Sequence, residues 1–231
     1  MRVLVYDTWQ SLPNSPSESG VYVVLDVFKF TTTVTELLEQ GAASVTAFTE
    51  NDELVDFRRQ TGSTVGGEHR HLDKDEMDIC NSPSFVAERS EQYLDEPVGL
   101  LSDNGAKAVH AVPTDVPLYL GSTTNAAAVA EGVSNHNPEQ VHLVCAGSHG
   151  DPAYEDLAGA SLIKSHLSGE STLSLTKRLL KRVCETSRWV QRHGDKSRYH
   201  KEDVSRALRT NESDVVPVRE EDYQFVSCNT E

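Results

Sequence analysis

Residues 21–33 have the sequence VYVVLDVFKFTTT. Its first part, residues 21–27, is an almost unbroken apolar run, which is typical of a strand buried on both faces. One of the three threonines at its end supplies a helix N-cap, and Gly41 supplies the stop at the other end of the helix. The stretch therefore predicts a buried strand followed by a helix over residues 31–40.

The same order of strand, polar turn and helix recurs along the chain. An apolar strand over residues 98–101 precedes a Ser-Asp-Asn-Gly turn, and a strand over residues 117–121 precedes a Ser-Thr-Thr-Asn turn and an Ala-rich helix. Strands that alternate with helices at this spacing predict a layered α/β/α fold with a mostly parallel sheet. Further strands are predicted at residues 2–6, 44–48 and 142–145, and a further helix at residues 154–167.

The sequence changes character after about residue 168. Residues 172–193 have the pattern of a basic helix, whereas residues 194–231 are polar with short apolar runs such as residues 215–218. We therefore predict an α/β core over residues 1–168. A helical, polar C-terminal region over residues 169–231 is expected to pack on this core or extend from it, and to lie outside the core of the sheet.

The net charge limits the class of partner. The chain has 231 residues, of which 36 are acidic and 21 basic, so its formal net charge is −15. A field of this sign repels nucleic acid and anionic membranes, and neither is expected as a partner. The acidic residues are spread along the chain, which favours a surface adapted to high salt, as in a halophilic archaeon, over an ordinary acidic cytosolic protein.

The sequence indicates neither a membrane span nor an export signal. Its apolar runs fall short of the roughly 20 residues that cross a bilayer, and residues 1–6 have the pattern of a short strand. Cys80, Cys145, Cys184 and Cys228 form no Cys-x-x-Cys metal or redox motif. We therefore expect a cytoplasmic protein with reduced thiols, and leave open whether it forms a homo-oligomer.

Polar turns follow four of the predicted strands, at residues 26–33, 102–105, 121–125 and 147–151. In open α/β sheets, ligands bind beyond the carboxyl ends of the strands. The free N–H groups and the dipole at a helix N-terminus favour a bound anion, and serine and threonine hydroxyls add donors. The turns therefore predict a cradle for a phosphate or sulfonate; the alternative is that their polar residues only cap helices.

Acidic residues near these turns indicate a metal site. Asp26 ends an apolar strand, where a carboxylate is costly to bury without a partner. It is interpreted as a Mg²⁺ ligand or a general acid or base, and alternatively as a helix cap. Glu68 follows two glycines that let the backbone approach a ligand, while Glu155 and Asp156 open a predicted helix. Carboxylates at a helix start suit Mg²⁺, but they are also ordinary partners of the helix dipole.

Three further features bear on the chemistry of the site. Lys29 is the local cation that would let a phosphate approach an acidic protein. The run His69, Arg70 and His71 predicts anion contacts or a transition-metal site, with a solvated polar loop as the alternative. Cys145 is a candidate nucleophile at a strand end, although its apolar setting favours an unreactive structural thiol.

Six short motifs follow one another between about residue 21 and residue 167. They are VVLDVFKFTTT at 23–33, GGE at 66–68, NSP at 81–83, NG at 104–105, GSTTNA at 121–126, and VCAG at 144–147 with ED at 155–156. In this order they resemble the motifs of the 2-phosphosulfolactate phosphatase family. The resemblance implies an α/β enzyme that uses Mg²⁺ to hydrolyse 2-phospho-3-sulfolactate to sulfolactate and phosphate, a step toward coenzyme M in methanogens.

The turns and the resemblance together predict a site for a small anionic phosphate ester, with Mg²⁺ as cofactor. The expected metal ligands are Asp26, Glu68, Glu155 and Asp156. The expected catalytic residues are Asp26, Lys29 and Cys145, and the expected substrate-binding residues are Thr31, Thr32, Asn81, Asn104, Gly105, Ser122 and Asn125.

Three departures from the family pattern concern the anion site. The family has arginine where Lys29 stands, and lysine offers a point charge instead of a bidentate grip. Its Gly-Gly-Glu-Arg-Gly-Gly becomes GGEHRH at 66–71, and its Thr-Thr-Asn-Gly-Thr becomes SDNGA at 102–106, which adds the carboxylate of Asp103. These changes support a second hypothesis, a diverged relative that binds a metabolite or a partner without hydrolysing it. A third hypothesis is a metal-dependent lyase or isomerase on the same fold.

Overall fold

A computed structural model describes residues 1–68, 77–89, 92–93, 95–170, 173–187, 190–191 and 198–228. These residues form a ten-stranded sheet covered by helices on both faces, which confirms the predicted α/β class. The strands are β1 (Arg2–Tyr6), β2 (Val21–Leu25), β3 (Ser44–Phe48), β4 (Thr64–Gly67), β5 (Ile79–Cys80), β6 (Pro97–Leu101), β7 (Leu118–Gly121), β8 (Gln140–Cys145), β9 (Val216–Glu221) and β10 (Gln224–Cys228). Their spatial order is β1-β8-β2-β7-β9-β10-β3-β6-β4-β5.

The described residues also form α-helices between the strands and in the C-terminal region. They are α1 (Phe30–Glu39), α2 (Asn51–Thr61), α3 (Pro83–Ala87), α4 (Gly105–His110), α5 (Ala126–Asn135), α6 (Tyr154–Leu167), α7 (Leu173–Thr186) and α8 (Arg198–Ala207). None of these helices has the length and apolar character needed to cross a membrane.

The sheet consists of two parallel halves joined by an antiparallel hairpin. Parallel pairing joins β1, β8, β2 and β7 in one half and β3, β6, β4 and β5 in the other. Between them, β9 and β10 pair antiparallel with each other and with β7 and β3. The prediction that residues 194–231 lie outside the core of the sheet is therefore wrong for these two strands.

The sequences of the two hairpin strands explain why they were missed. They read VPVREE and QFVSC, which are too short and too polar to signal central strands. Their burial depends on single residues, since Val216 and Phe225 are fully buried while charged neighbours stay at the surface. Which half-apolar segment enters a sheet is decided by packing against other strands, and a local pattern does not contain that information.

Alternate residues of β2 face the two hydrophobic layers. Tyr22 and Val24 pack in the cluster that contains α1 and α4, whereas Val23 and Leu25 pack in the cluster that contains α5 and α6. Because both faces are covered, the strand is a continuous apolar run, as the sequence predicted. Asp26 directly follows this strand, and the fold therefore holds a carboxylate at the edge of the core.

The C-terminal region contacts the strand-end turns. The N–H groups of Asn211 and Glu212 donate to the carbonyl oxygens of Thr123 and Thr124 at 3.1 and 2.9 Å, in the turn that follows β7. Ala207 of α8 is buried in a small cluster with Val27, Phe28, Ala158 and Val183. The region thus packs against the part of the molecule where ligands are expected, while the division at residue 168 remains a prediction.

Candidate active site

The turns that follow β2 and β6 meet at Asp26. Its side chain is buried, and the backbone N–H groups of Gly105 and Phe30 donate to its carboxylate. A Cβ atom on Gly105 would lie 2.6 Å from Oδ2 of Asp26, so this approach requires a glycine. In the sheet, four strands lie between β2 and β6, so this contact joins turns from the two parallel halves.

Asp156, at the start of α6, links the turn after β2 to the turn after β8. Its Oδ1 accepts the N–H of Val27 at 2.8 Å, and its Oδ2 accepts the N–H of Gly147 at 3.0 Å. Burial, followed by the charges of Asp26 and Glu155, raises the pKa of this carboxyl well above its usual range. With both oxygens bonded to the backbone, Asp156 fixes the turn after β2 against the turn after β8.

The carboxyl groups around Asp26 destabilise one another as anions. Burial raises the pKa of Asp26 to about 7, and the charges of Glu68 and Glu155 add to the increase. Burial also raises the pKa of Glu155, whose Oε2 atom has no hydrogen-bond partner within the described residues. Buried carboxylates close to one another are stabilised by a cation, which makes this cluster the candidate metal site.

The donor set of this cluster fits Mg²⁺. Mg²⁺ takes oxygen ligands and in many enzymes uses one or two protein carboxylates, with water and substrate oxygens completing its shell. In the described ranges, no three His, Cys, Asp or Glu side chains are grouped closely enough to hold a metal by themselves. The residues His69, Arg70 and His71 lie outside the described residues.

Lys29 lies in the turn between β2 and α1, which contains a cis peptide bond between Phe28 and Lys29. The lysine side chain is 11% exposed, and its Nζ is 3.4 Å from Oδ2 of the fully buried Asp203 in α8. Oδ1 of Asp203 accepts the hydroxyl of Ser82 at 2.7 Å and the N–H of Ser84 at 3.0 Å. Lys29, which the sequence predicted as a cation of the anion site, therefore has a buried carboxylate beside it.

Asp203 is not among the site residues predicted from the sequence. It stands in the polar C-terminal region, which was expected to lie outside the core of the sheet, and an aspartate in such a region is unremarkable. The available signal was its position four residues before the buried Ala207, since residues four apart share one face of a helix. That spacing predicts burial of the face, but not which partner the carboxylate meets.

The predicted substrate-binding threonines are bonded to their own turn. Thr31 Oγ1 accepts the N–H of Asp26 at 3.1 Å and lies 3.0 Å from the carbonyl of Asp26. Thr32 Oγ1 donates to the carbonyl of Val27 at 2.9 Å. These contacts favour the interpretation in which the threonines shape the turn, and a contact of either hydroxyl with substrate remains a prediction.

Ser122 and Asn125 form a second turn whose polar side chains hydrogen-bond to other groups of the protein. Asn125 Oδ1 accepts the N–H of Ser122 at 2.8 Å, and its Nδ2 donates to the carbonyls of Leu120 at 3.3 Å and Val215 at 3.1 Å. Both residues are fully buried. Asn125 thereby fastens the segment before β9 to the end of β7, which is a structural task that the sequence did not predict.

The two other predicted asparagines differ from this pattern. Asn81 is buried, and neither polar atom of its side chain has a hydrogen-bond partner in the part of the chain that the structure describes. Its N–H donates to the carbonyl of Gly67 at 2.9 Å, which places it beside Glu68. Asn104 precedes α4, and its Oδ1 accepts the N–H of His149 at 3.4 Å. Asn81 thus has both a donor and an acceptor available to a ligand.

Cys145 is the last residue of β8 and is fully buried opposite Leu25 of β2. Burial, followed by the charges of Asp156 and Asp7, raises the pKa of its thiol well above the usual range. A thiol held protonated in this way is a poor nucleophile. The environment favours the structural interpretation of Cys145, and its catalytic role remains a prediction.

The comparisons with known proteins agree on one family. The model of the family described as 2-phosphosulpholactate phosphatase matches residues 6–222. A protein of Caldanaerobacter subterraneus subsp. tengcongensis is 28% identical over 172 residues, which cover 72% of this chain and 69% of that protein. A Picosynechococcus protein is 29% identical over 74% of this chain and 71% of its own length. A Clostridium botulinum protein (strain Eklund 17B) is 23% identical over 87% of this chain and 90% of its own length. Each of the three is named a probable 2-phosphosulfolactate phosphatase.

Proposed function

The chain belongs to the 2-phosphosulfolactate phosphatase family, a family of hydrolases, and from this premise we propose that it hydrolyses a small phosphorylated organic acid of the 2-phosphosulfolactate type with Mg²⁺ as cofactor. The products of this reaction are the hydroxy acid and inorganic phosphate. The observation that carries the proposal is the buried carboxylate Asp26, which lies where the turns after β2 and β6 meet and shares the β2 turn with Lys29.

In this proposal Asp26 and Glu68 hold Mg²⁺, and Glu155 lies beside them. The raised pKa of Asp26 supports the assignment, because a bound cation would relieve the repulsion among the three carboxylates. When bound, Mg²⁺ supplies positive charge at the phosphoryl oxygens and stabilises the charge that develops there during hydrolysis. Asp156, with both oxygens bonded to backbone N–H groups, fixes the turns instead of binding the ion.

Lys29 binds the phosphate. It is the residue directly before α1, in the same turn as Asp26, and its side chain supplies a positive charge there. Positive charge is needed here because the whole molecule carries a formal charge of −15. The amide of Asn81, with both polar atoms available, adds a donor and an acceptor for the acid group of the substrate.

Hydrolysis requires a water molecule to attack phosphorus and the ester P–O bond to break. The water oxygen becomes part of inorganic phosphate, and the leaving alkoxide takes up a proton to form the hydroxy acid. Oε2 of Glu155 accepts the proton that the attacking water loses, since it has no other partner among the described residues and its pKa is raised by burial.

The test measures phosphate release from 2-phosphosulfolactate and phospholactate, with Mg²⁺ and with EDTA. We expect release only with Mg²⁺, and a decrease in kcat/KM of about 100-fold for Lys29→Met, because the loss of one charged contact to a developing anion has effects of this size. Lys164→Met removes an exposed lysine of α6 and serves as the charge-matched control. Absence of phosphate release from folded protein across a panel of phosphate esters would reject the proposal.

A second candidate is a diverged relative that binds the ester without hydrolysing it. Lys29 in the position of the family's arginine favours this alternative, because lysine lacks the bidentate grip on an oxyanion. The same panel separates the two functions, since a binding protein would retain the intact ester. Product analysis in that assay would also identify a lyase or isomerase by an altered carbon skeleton.

A further inference from the structure

We propose that Asp203, on the C-terminal helix α8, is the positioning residue that holds the Lys29 ammonium at the anion site. The inference rests on the proposed function and extends it by assigning a task to the C-terminal region. Asp203 acts through Lys29 and does not itself contact substrate.

The two carboxylate oxygens of Asp203 have different environments. Oδ1 accepts two hydrogen bonds at the start of α3, from the hydroxyl of Ser82 at 2.7 Å and the N–H of Ser84 at 3.0 Å. Oδ2 accepts no hydrogen bond within the described residues and faces Nζ of Lys29 at 3.4 Å. A residue that only capped α3 would need one acceptor oxygen, so the second oxygen is the one that requires another explanation.

Burial makes the Asp203–Lys29 ion pair costly unless each charge stabilises the other. Asp203 is 0% exposed and Lys29 is 11% exposed, so both charges are largely removed from water. Breaking such a pair by removing one partner leaves an uncompensated buried charge, and well-packed apolar residues would often replace the pair without loss of stability. Because stability alone does not explain a buried pair at this place, we assign it a task in ligand binding.

The rest of α8 fixes Asp203 in place. Ala207, one turn further on, packs with Val27 and Phe28, which lie between Asp26 and Lys29 in the turn after β2. The hydroxyl of Thr123 donates to the carbonyl of Ala207. On the neighbouring side of the helix, Arg206 forms an ion pair with Glu36 of α1 at 2.8 Å. These contacts tie α8 to the elements that carry Lys29, so the carboxylate has a defined position relative to the ammonium group.

Replacing Asp203 with asparagine changes one atom and the charge. The amide oxygen can keep the bonds from Ser82 and Ser84, but its NH₂ group then faces the ammonium of Lys29. Two donors facing each other are repulsive, and Lys29 is expected to leave its position. The effect on ligand binding should consequently depend on the presence of Lys29.

The test is a double-mutant cycle that measures the binding of inorganic phosphate by calorimetry in the presence of Mg²⁺. Its proteins are the wild type, Asp203→Asn, Lys29→Met and the double variant. We expect Asp203→Asn to weaken phosphate binding about tenfold in the wild-type background and less than about twofold in the Lys29→Met background. An equal loss in both backgrounds would assign Asp203 a structural role only. Unchanged or tighter binding in Asp203→Asn would also overturn the proposal.

Two further measurements keep the test decisive. Asp214→Asn removes an exposed acid of the same region and controls for net charge. If Asp203→Asn does not fold, Ser82→Ala replaces it in the cycle, because it removes one of the donors that hold the carboxylate. Phosphate binding requires no turnover, so a protein that fails to hydrolyse any ester but shows the Lys29-dependent loss would contradict the proposed function and support the role of Asp203.

Discussion

At the scale of single residues, the site depends on close approach between side chains and backbone. Asp26 lies against Gly105, and Asp156 bridges the N–H groups of Val27 and Gly147. These contacts hold carboxylates in positions where burial opposes their ionisation. Buried carboxylates of this kind lower the stability of the fold, but they provide the negative charge that a cation-binding site needs.

Gly105 provides a direct test of this packing. A Cβ atom there would lie 2.5 Å from Cβ of Phe30 and 2.6 Å from Oδ2 of Asp26. Gly105→Ala should therefore displace the Asp26 carboxylate and lower kcat/KM by about 100-fold, as displacements near 1 Å do in other active sites. Steady-state kinetics with 2-phosphosulfolactate would measure the decrease.

Gly132→Ala is the matched control for this substitution. Gly132 lies inside α5, and its added Cβ would meet side-chain atoms of Val216 and Tyr119 at 3.3 and 3.4 Å. Alanine also favours helix over glycine, so this variant should keep near wild-type activity. Similar activities of the two variants would contradict the role assigned to Gly105.

At the scale of secondary-structure elements, the β9–β10 hairpin joins the two parallel halves of the sheet. Phe225 is fully buried in the main core, and β9 carries Val216 into the cluster beneath α5 and α6. Phe225→Ala should lower the free energy of unfolding by about 3–5 kcal/mol, the usual cost of a large cavity in a core. Urea denaturation would measure the change.

Tyr154→Ala is the control for Phe225→Ala, because Tyr154 is an exposed aromatic residue. Its removal should change the free energy of unfolding by less than about 1 kcal/mol. A comparably small change for Phe225→Ala would mean that the hairpin is dispensable for the sheet.

The units that contain β2, β6, β7 and β8 with their following helices were predicted from the sequence, whereas α2, β4, β5 and the β9–β10 hairpin were not. The apolar run at residues 21–25 and the threonines after it specify their own conformation, and the predicted helix at residues 154–167 matches α6. The hairpin strands are selected by pairing with β7 and β3, which are distant in sequence. For the same reason the sequence located Asp26 and Lys29 but not Asp203, whose burial depends on where α8 packs.

At the scale of the whole molecule, acidic charge is the dominant property. The formal net charge of −15 opposes an anionic substrate, and the buried carboxylates add a local cost. In the proposed site, the positive charges of Mg²⁺ and Lys29 offset both the repulsion of the substrate and the cost of the buried carboxylates. Positive charge at this site offsets locally the repulsion that the net negative charge exerts on an anion.

This charge balance predicts a pH-dependent stabilisation by Mg²⁺. The folded pKa of Asp26, about 7, lies above the unfolded value of about 3.9, so this group's contribution to stability is full at low pH and is lost as pH rises through about 7. Mg²⁺ binds the ionised carboxylate of Asp26 and should restore the stability that is lost as the pH rises. We therefore expect MgCl₂ to raise Tm more at about pH 8 than at about pH 5.

NaCl at equal ionic strength controls for the screening of surface charge in this measurement. The difference between the two pH values should be clearly smaller in Asp26→Asn, which lacks the carboxyl group that ionises near pH 7. An equal Mg²⁺ effect at both pH values in the wild type would place the bound ion elsewhere.

The most direct test of the central claim is kcat/KM of Asp26→Asn for phosphate release from 2-phosphosulfolactate with Mg²⁺, beside the wild type and the exposed-acid control Asp214→Asn. We expect a folded variant, at least as stable as the wild type at about pH 8, because a buried carboxylate with a raised pKa has been removed. The value of kcat/KM should decrease about a thousandfold in Asp26→Asn, with no comparable change in the control. Activity of Asp26→Asn within about tenfold of the wild type would contradict the assignment of this carboxylate cluster as the phosphatase site.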